Sequence, residues 1–229
     1  MSFTGFSKDT VRFFKDLDMN NNKIWFEENR HIYDDIVFPE AQNFVVTMGE
    51  KLARISEDIN ADPRTDKSIF RLHRDTRFSK DKRPYKTHLG ILFWEGPFKK
   101  IEAPLFYFHL DAQKVFLAAG MHIIPKEFMQ TYRDAVVDDQ QGAALDKALK
   151  EVAKHGDYQP GWEKYKKVPR GYDTAHPRNH LLKLGGIGFS IEMPLRKEIH
   201  DERLIDMVFQ HFENMSPIYL WLKKIIQTG

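Results

Sequence analysis

Apolar positions recur at helical spacing near both ends of the chain and at strand spacing in its middle. Ser7 stands ahead of Val11, Phe14 and Leu17, and Phe6 with Val11 has the spacing of a hydrophobic staple, so residues 7–18 read as a capped helix. An Asn/Asp-rich break at 18–22 ends it. From Asn22 a second helix sets Trp25, Ile32 and Ile36 on one face, with Phe26 and Tyr33 beside it. Pro39 then either starts a third helix or kinks a long one. Ala41, Val45, Met48, Leu52 and Ile55 alternate steps of four and three, which makes residues 40–57 the clearest amphipathic helix.

The period changes after Asp62-Pro63. Phe70, Leu72, Arg74, Thr76 and Phe78 alternate with Arg71, His73, Asp75 and Arg77, which predicts a strand with one fairly apolar and one polar face. Further strands are expected at 87–94, 105–110 and 115–123, the last two joined as a hairpin through Asp111-Ala112-Gln113-Lys114. Helical spacing returns at 125–138 and 142–154. A Gly/Pro-punctuated loop over 156–177, a short helix near 178–184 and a strand at 187–193 follow. Two C-terminal helices, 201–214 and 217–227, are expected on either side of Ser216-Pro217. Helices, then strands, then helices is the order of an α+β fold. The expectation is a single domain, 1–229, with a largely antiparallel sheet from 69–123 and 187–193 flanked by N- and C-terminal helices.

Composition narrows the chemistry. With 229 residues, 41% of them apolar and 18 phenylalanines, there is material for a sizeable core. The absence of cysteine excludes disulfides, thiolate catalysis and cysteine-bound metal centres. The N-terminal stretch lacks the pattern of a signal peptide, and no run approaches the roughly 18 apolar residues of a membrane helix. A soluble cytoplasmic protein with no membrane partner is therefore expected. Net charge is only +2, but residues 64–86 carry nine Lys/Arg against three Asp, so a basic segment sits on an acidic body. That modest total counts against nucleic acid as partner.

Arginine pairs bidentately with phosphate or carboxylate, while lysine adds a mobile point charge. Arg71, Arg74 and Arg77, with Lys82, Tyr85 and Lys86, are therefore candidates to hold a small anionic ligand. Asp75 shares the alternation of Arg71 and Arg77, whereas Arg74 projects to the other side of a regular strand. A second polar segment supplies Tyr172, Asp173 and His176. Tyr172 and His176, with Asp75, are candidate reactive groups, and Asp173 is a candidate ligand contact. The two segments are expected to share one site, since arginines alone offer no proton donor or acceptor at neutral pH. Other signatures fail. His73-Arg74-Asp75 has Lys80 where the kinase catalytic loop requires asparagine, Gly185-Gly186-Ile187-Gly188 has the wrong spacing for a dinucleotide loop, and no H-x-x-x-H or H-E-x-x-H pair falls on an expected helix. No metal is expected and no cofactor is indicated.

The run Arg71-x-x-Arg74-Asp75-x-Arg77-Phe78, followed by Asp81-Lys82 and Pro84-Tyr85-Lys86, resembles the signature of the mostly bacterial domain of unknown function 2461 family. The resemblance also takes in Asn20, Asn22, Trp25, Phe26, Asn29 and Tyr33 upstream. Downstream it covers Pro169, Gly171, Tyr172, Asp173, His176 and Pro177. It implies no established reaction. Three readings stay open at this point: a binder or enzyme for a phosphate-bearing or carboxylate ligand, a structural or partner-binding domain whose arginines form an internal ion network, and nucleic-acid binding.

Overall fold

The structure, a computed structural model, describes residues 2–161 and 165–228; residues 162–164, inside the loop expected over 156–177, lie outside them. In chain order it contains α1 (Lys8–Met19), α2 (Lys23–Ile32), α3 (Phe38–Leu52), β1 (Ile59–Asn60), β2 (His88–Glu95), β3 (Leu105–Asp111) and β4 (Lys114–Met121). These are followed by α4 (Met129–Val137), α5 (Asp139–Lys154), β5 (Gln159–Pro160), β6 (Ile187–Pro194) and α6 (Arg203–Thr228). The strands form one antiparallel six-stranded sheet in the order β1-β2-β3-β4-β6-β5, and the fold is α+β with helices at both ends of the chain. Two compact units divide the chain, neither of them a continuous segment. The first holds Met1–Phe93, Tyr107–Leu117 and Glu192–Gln210, and the second holds Trp94–Phe106, Ala118–Ile191 and His211–Gly229.

In the first unit, the Thr10 amide donates to Ser7 Oγ at the start of α1. Glu40 of α3 reinforces that end, accepting from the Ser7 amide at 3.1 Å and from the buried Thr10 hydroxyl at 2.6 Å. Between α2 and α3 the backbone widens into a π-turn, Tyr33–Val37, directly ahead of Pro39. The wider turn lets the Phe38 amide reach back to the Tyr33 carbonyl and relieves the clash a proline ring makes one helical turn upstream. Phe44 of α3 and Phe6 then pack on Phe108 of β3, at ring separations of 4.4 and 5.8 Å.

In the second unit, Phe106 plays the matching part. Its ring stacks on Tyr219 at 4.4 Å and meets Phe212 at 5.0 Å, both from α6. The expected break at Pro217 is absent: α6 is one helix with the proline inside it. Phe212, Met215, Ile218, Tyr219, Leu222 and Ile225 are buried on both sides of that proline. Their combined burial exceeds the roughly 3 kcal/mol that an interior proline costs. Upstream, the short helix expected near 178–184 is a single 3₁₀ turn, Leu181–Lys183.

Strands β4 and β6 approach closely at Gly120, whose φ of +137° and carbonyl neighbour leave no room for a side chain. A Cβ there would lie 2.3 Å from the Ile187 carbonyl oxygen. Gly120→Ala is expected to cost at least about 2 kcal/mol, read as a lower urea midpoint with an unchanged slope.

The strand expected over 70–78 does not form. Isolated antiparallel bridges stand in its place, among them Ile69 with Ile91 and His73 with Tyr85. Backbone bonds from Phe70 N to Gly90 O, Arg74 N to Pro84 O and Lys86 N to Leu72 O hold an irregular excursion beside β2. Two aspartates explain the loss of ladder. Asp75 accepts from the amide of Arg77, and Asp81 from the amide of Arg83, so each turns the chain locally where a strand would have continued. Asp62 with Arg64 and Asp201 with Arg203 repeat the same Asp-x-Arg turn elsewhere.

Candidate functional site

The same turns fix the arginines. The Arg77 guanidinium donates two bonds to Asp75, and Arg83 lies between Asp81 and Asp18, 2.9 Å from the latter. Arg74 donates to Asp81 at 2.8 Å and to the Arg83 carbonyl. Asp81 is held down to about 2, first by the Arg83 amide and then by the guanidiniums of Arg83 and Arg74; Asp75 is also lowered, chiefly by Arg77. These groups form a surface lattice of ion pairs: the side chain of Arg74 is 25% exposed and that of Arg77 is 77% exposed. Arg71 is exposed and has neither a hydrogen bond nor an ion pair among the described residues. Lys82 donates to the Thr76 carbonyl, and Phe78 stands almost fully in solvent.

Tyr85 anchors the segment. Its ring stacks on Phe26 at 4.2 Å and is buried, and its backbone exchanges two 3.0 Å hydrogen bonds with the Asn21 side chain. Burial raises its phenol. Asn29 donates to the Trp25 carbonyl, so this asparagine serves the backbone of α2.

Lys86 leads onto a feature that sequence reasoning missed. Its ammonium lies 4.9 Å over the Phe70 ring, and Phe70 meets Tyr107 edge to face. Since Phe106, Phe108 and Leu110 are buried, alternation along β3 turns Tyr107, His109 and Asp111 to the other face of the sheet. There the His88 and His109 rings stack at 4.1 Å, and His109 Nε2 lies 3.1 Å from Asp111 Oδ2. Phe116 of β4 closes edge to face on His109, and Lys114 pairs with Glu192 nearby at 2.5 Å. Burial, then the neighbouring His109 and Lys86, pushes His88 down to about 3. Burial also lowers His109 against the pull of Asp111. Asp111 would be raised by burial, but amides of the hairpin turn and His109 outweigh that and lower it. Tyr107 is pushed up to about 12 by burial.

At neutral pH this is a neutral imidazole pair with a carboxylate ordering one member. With Nε2–H given to Asp111, His109 carries its lone pair on Nδ1. The signal lay in the sequence: His109 and Asp111 are two apart in a strand whose intervening residues are apolar, so both belong to one non-core face.

The residues Tyr172, Asp173 and His176 lie in the second unit, and Arg71, Arg74 and Arg77 in the first. The Tyr172 hydroxyl donates to Asp134 at 2.7 Å and accepts from Gln130. Burial and the Asp134 carboxylate push it up to about 12. Asp173 accepts from the Ala175 amide, and His176 Nδ1 accepts from the Arg178 amide, so both shape their own turn. Among the described residues, no three His, Asp or Glu side chains gather as a metal site, and no helix is long and apolar enough to cross a membrane.

The family described as Conserved hypothetical protein (DUF2461) matches residues 9–221, a span that includes the basic segment, the histidine pair and the 169–177 turn. No curated protein matches the chain.

Proposed function

We propose that this chain, which belongs to the Conserved hypothetical protein (DUF2461) family, binds a small phosphate- or carboxylate-bearing ligand where its basic segment adjoins the histidine face, and transfers a proton there. The observation that carries the reading is the Asp111–His109 hydrogen bond with His88 stacked on it, close enough to Lys86 for that cation to depress His88. Two cations support the binding half. Lys86 sits at the edge of the face, and Arg71 is exposed with its fork available to an oxyanion. Asp111 orients His109 and leaves Nδ1 to accept a proton, and burial keeps the ring neutral at neutral pH. Arg77 and Arg74 are engaged by aspartates and act by shaping the segment.

Inorganic phosphate, pyrophosphate and a mononucleotide are the probes. A ligand that binds only the folded state raises the melting temperature, by about 2.7 kcal/mol of stability at a hundred times its Kd. The expected result is a rise with at least one probe at millimolar concentration that Arg71→Ala and Lys86→Met both diminish, while His109→Asn leaves binding largely intact. The second reading, a non-enzymatic domain with the arginines in an ion network, is favoured by the Asp81 contacts to Arg74 and Arg83. It prevails if none of the probes shifts melting.

A further inference from the structure

We infer that the second unit carries a separate site for a small organic anion, an oxyanion head on an apolar body, built around Arg133. A cavity of about 670 Å³ lies beside the N-terminal half of α4, lined by Ile123, Lys126, Met129, Gln130, Arg133 and Tyr165 among others. That volume is within the range of small-molecule sites, roughly 300–1,000 Å³.

The arginine is the unusual part. Its Nε is enclosed and has no hydrogen-bond acceptor. Its guanidinium lies 5.2 Å over the Tyr165 ring, and it forms no ion pair with a carboxylate among the described residues. The forks of Arg74, Arg77 and Arg83 are each matched by an aspartate, and Arg71, which lacks one, is exposed to water. Enclosing an Nε–H without an acceptor is costly, and structural arginines avoid it. Glu102 borders the same cavity, but its carboxylate is drawn to Lys99 at 3.4 Å. An oxyanion seated on the terminal nitrogens of the fork would supply a counter-charge, with Lys126 adding charge at the rim.

The walls decide the rest of the ligand. Met129 is buried, Ile123 presents exposed apolar surface, and the Tyr165 ring already stacks with a planar cation. An aryl or alkyl body next to the oxyanion covers that surface, whereas free inorganic phosphate leaves it wet. Gln130 also donates to the Tyr172 hydroxyl and to Asp134, so occupancy is coupled to the Tyr172–Asp134 contact.

Benzoate and phenyl phosphate, with inorganic phosphate as the control that lacks the apolar body, test the inference by thermal shift and by titration with tyrosine fluorescence. Benzoate or phenyl phosphate is expected to raise the melting temperature. Arg133→Met is expected to abolish that rise while leaving the ligand-free protein as stable as the parent or more so, and Arg133→Lys to weaken affinity about tenfold or more. Lys86→Met is expected to leave the benzoate response intact, which separates this site from the histidine face whichever of the two proposals fails. The inference is overturned if neither aryl anion shifts melting, or if the shift persists in Arg133→Met. Should Arg133→Met not fold, an undiminished response in Arg133→Lys overturns it equally.

Discussion

Replacing Glu95 by alanine is expected to destabilise the protein by about 3–5 kcal/mol, the cost of breaking a buried ion pair from one side. Glu95 ends β2 with only 3% of its surface exposed. Its carboxylate accepts from the Tyr219 hydroxyl and lies 2.9 Å from the Lys223 ammonium. Tyr219 and Lys223 are four residues apart on α6, so one helix face delivers both to a single carboxylate. Tyr219 also stacks on Phe106, which ties this polar contact to the core of the second unit. Alanine removes the acceptor and leaves a cation with 19% side-chain exposure to lose its carboxylate. Against typical domain stabilities of about 5–15 kcal/mol that is a large fraction. Urea denaturation measures it. The double variant Glu95→Met with Lys223→Met should recover most of the loss, because it removes both charges together; a loss below about 1 kcal/mol in Glu95→Ala would show that the pair contributes little.

The second large effect is in the pH dependence of stability. His88 sits at about 3 in the folded protein against an ordinary value of 6.5, and His109 is lowered as well. The unfolded chain therefore binds more protons than the folded one between those values, and stability falls as pH drops from 6.5 toward 3. Above 6.5 the contribution is fully present. Lys86, His109 and Asp111 face His88, and Asp111, Lys114 and Glu192 face His109. The carboxylates of Asp62, Asp81 and Asp201, held at about 2, add their loss mainly below 3.8, so the two windows overlap only at the acid end of the histidine one. The histidine share between pH 6.5 and 4 is on the order of 2 kcal/mol, after allowing for solvent that still reaches the ring. Chemical denaturation at a series of pH values should show the slope, and His88→Gln should flatten it. An identical slope in the variant would mean that the acid sensitivity originates elsewhere.

The candidate chemistry was only partly legible. The basic segment was visible because its charges are adjacent in sequence. The histidine pair was not visible, because His88 and His109 come from different strands and only the register of β2 against β3 brings their rings together. Arg133 gave no signal either: an arginine at a helical position looks like ordinary solvated surface until its surroundings are known.

By itself the sequence determined what depends on neighbours along the chain: α1 and its Ser7 cap, the amphipathic α3, the β3–β4 hairpin, the α+β order and the family. These follow from periodicity and capping, which act over a few residues. Tertiary structure decided the rest. It kept α6 continuous through Pro217, because buried residues on both sides outweigh one lost hydrogen bond. It dissolved the alternating pattern at 70–78, because side-chain turns at Asp75 and Asp81 satisfy the backbone more directly than a ladder would. It also distributed the charges, tying Arg74, Arg77 and Arg83 to nearby aspartates and leaving Arg133 enclosed without an acceptor at Nε. Periodicity reports which face a residue belongs to, whereas what stands opposite that face is set only when distant segments pack.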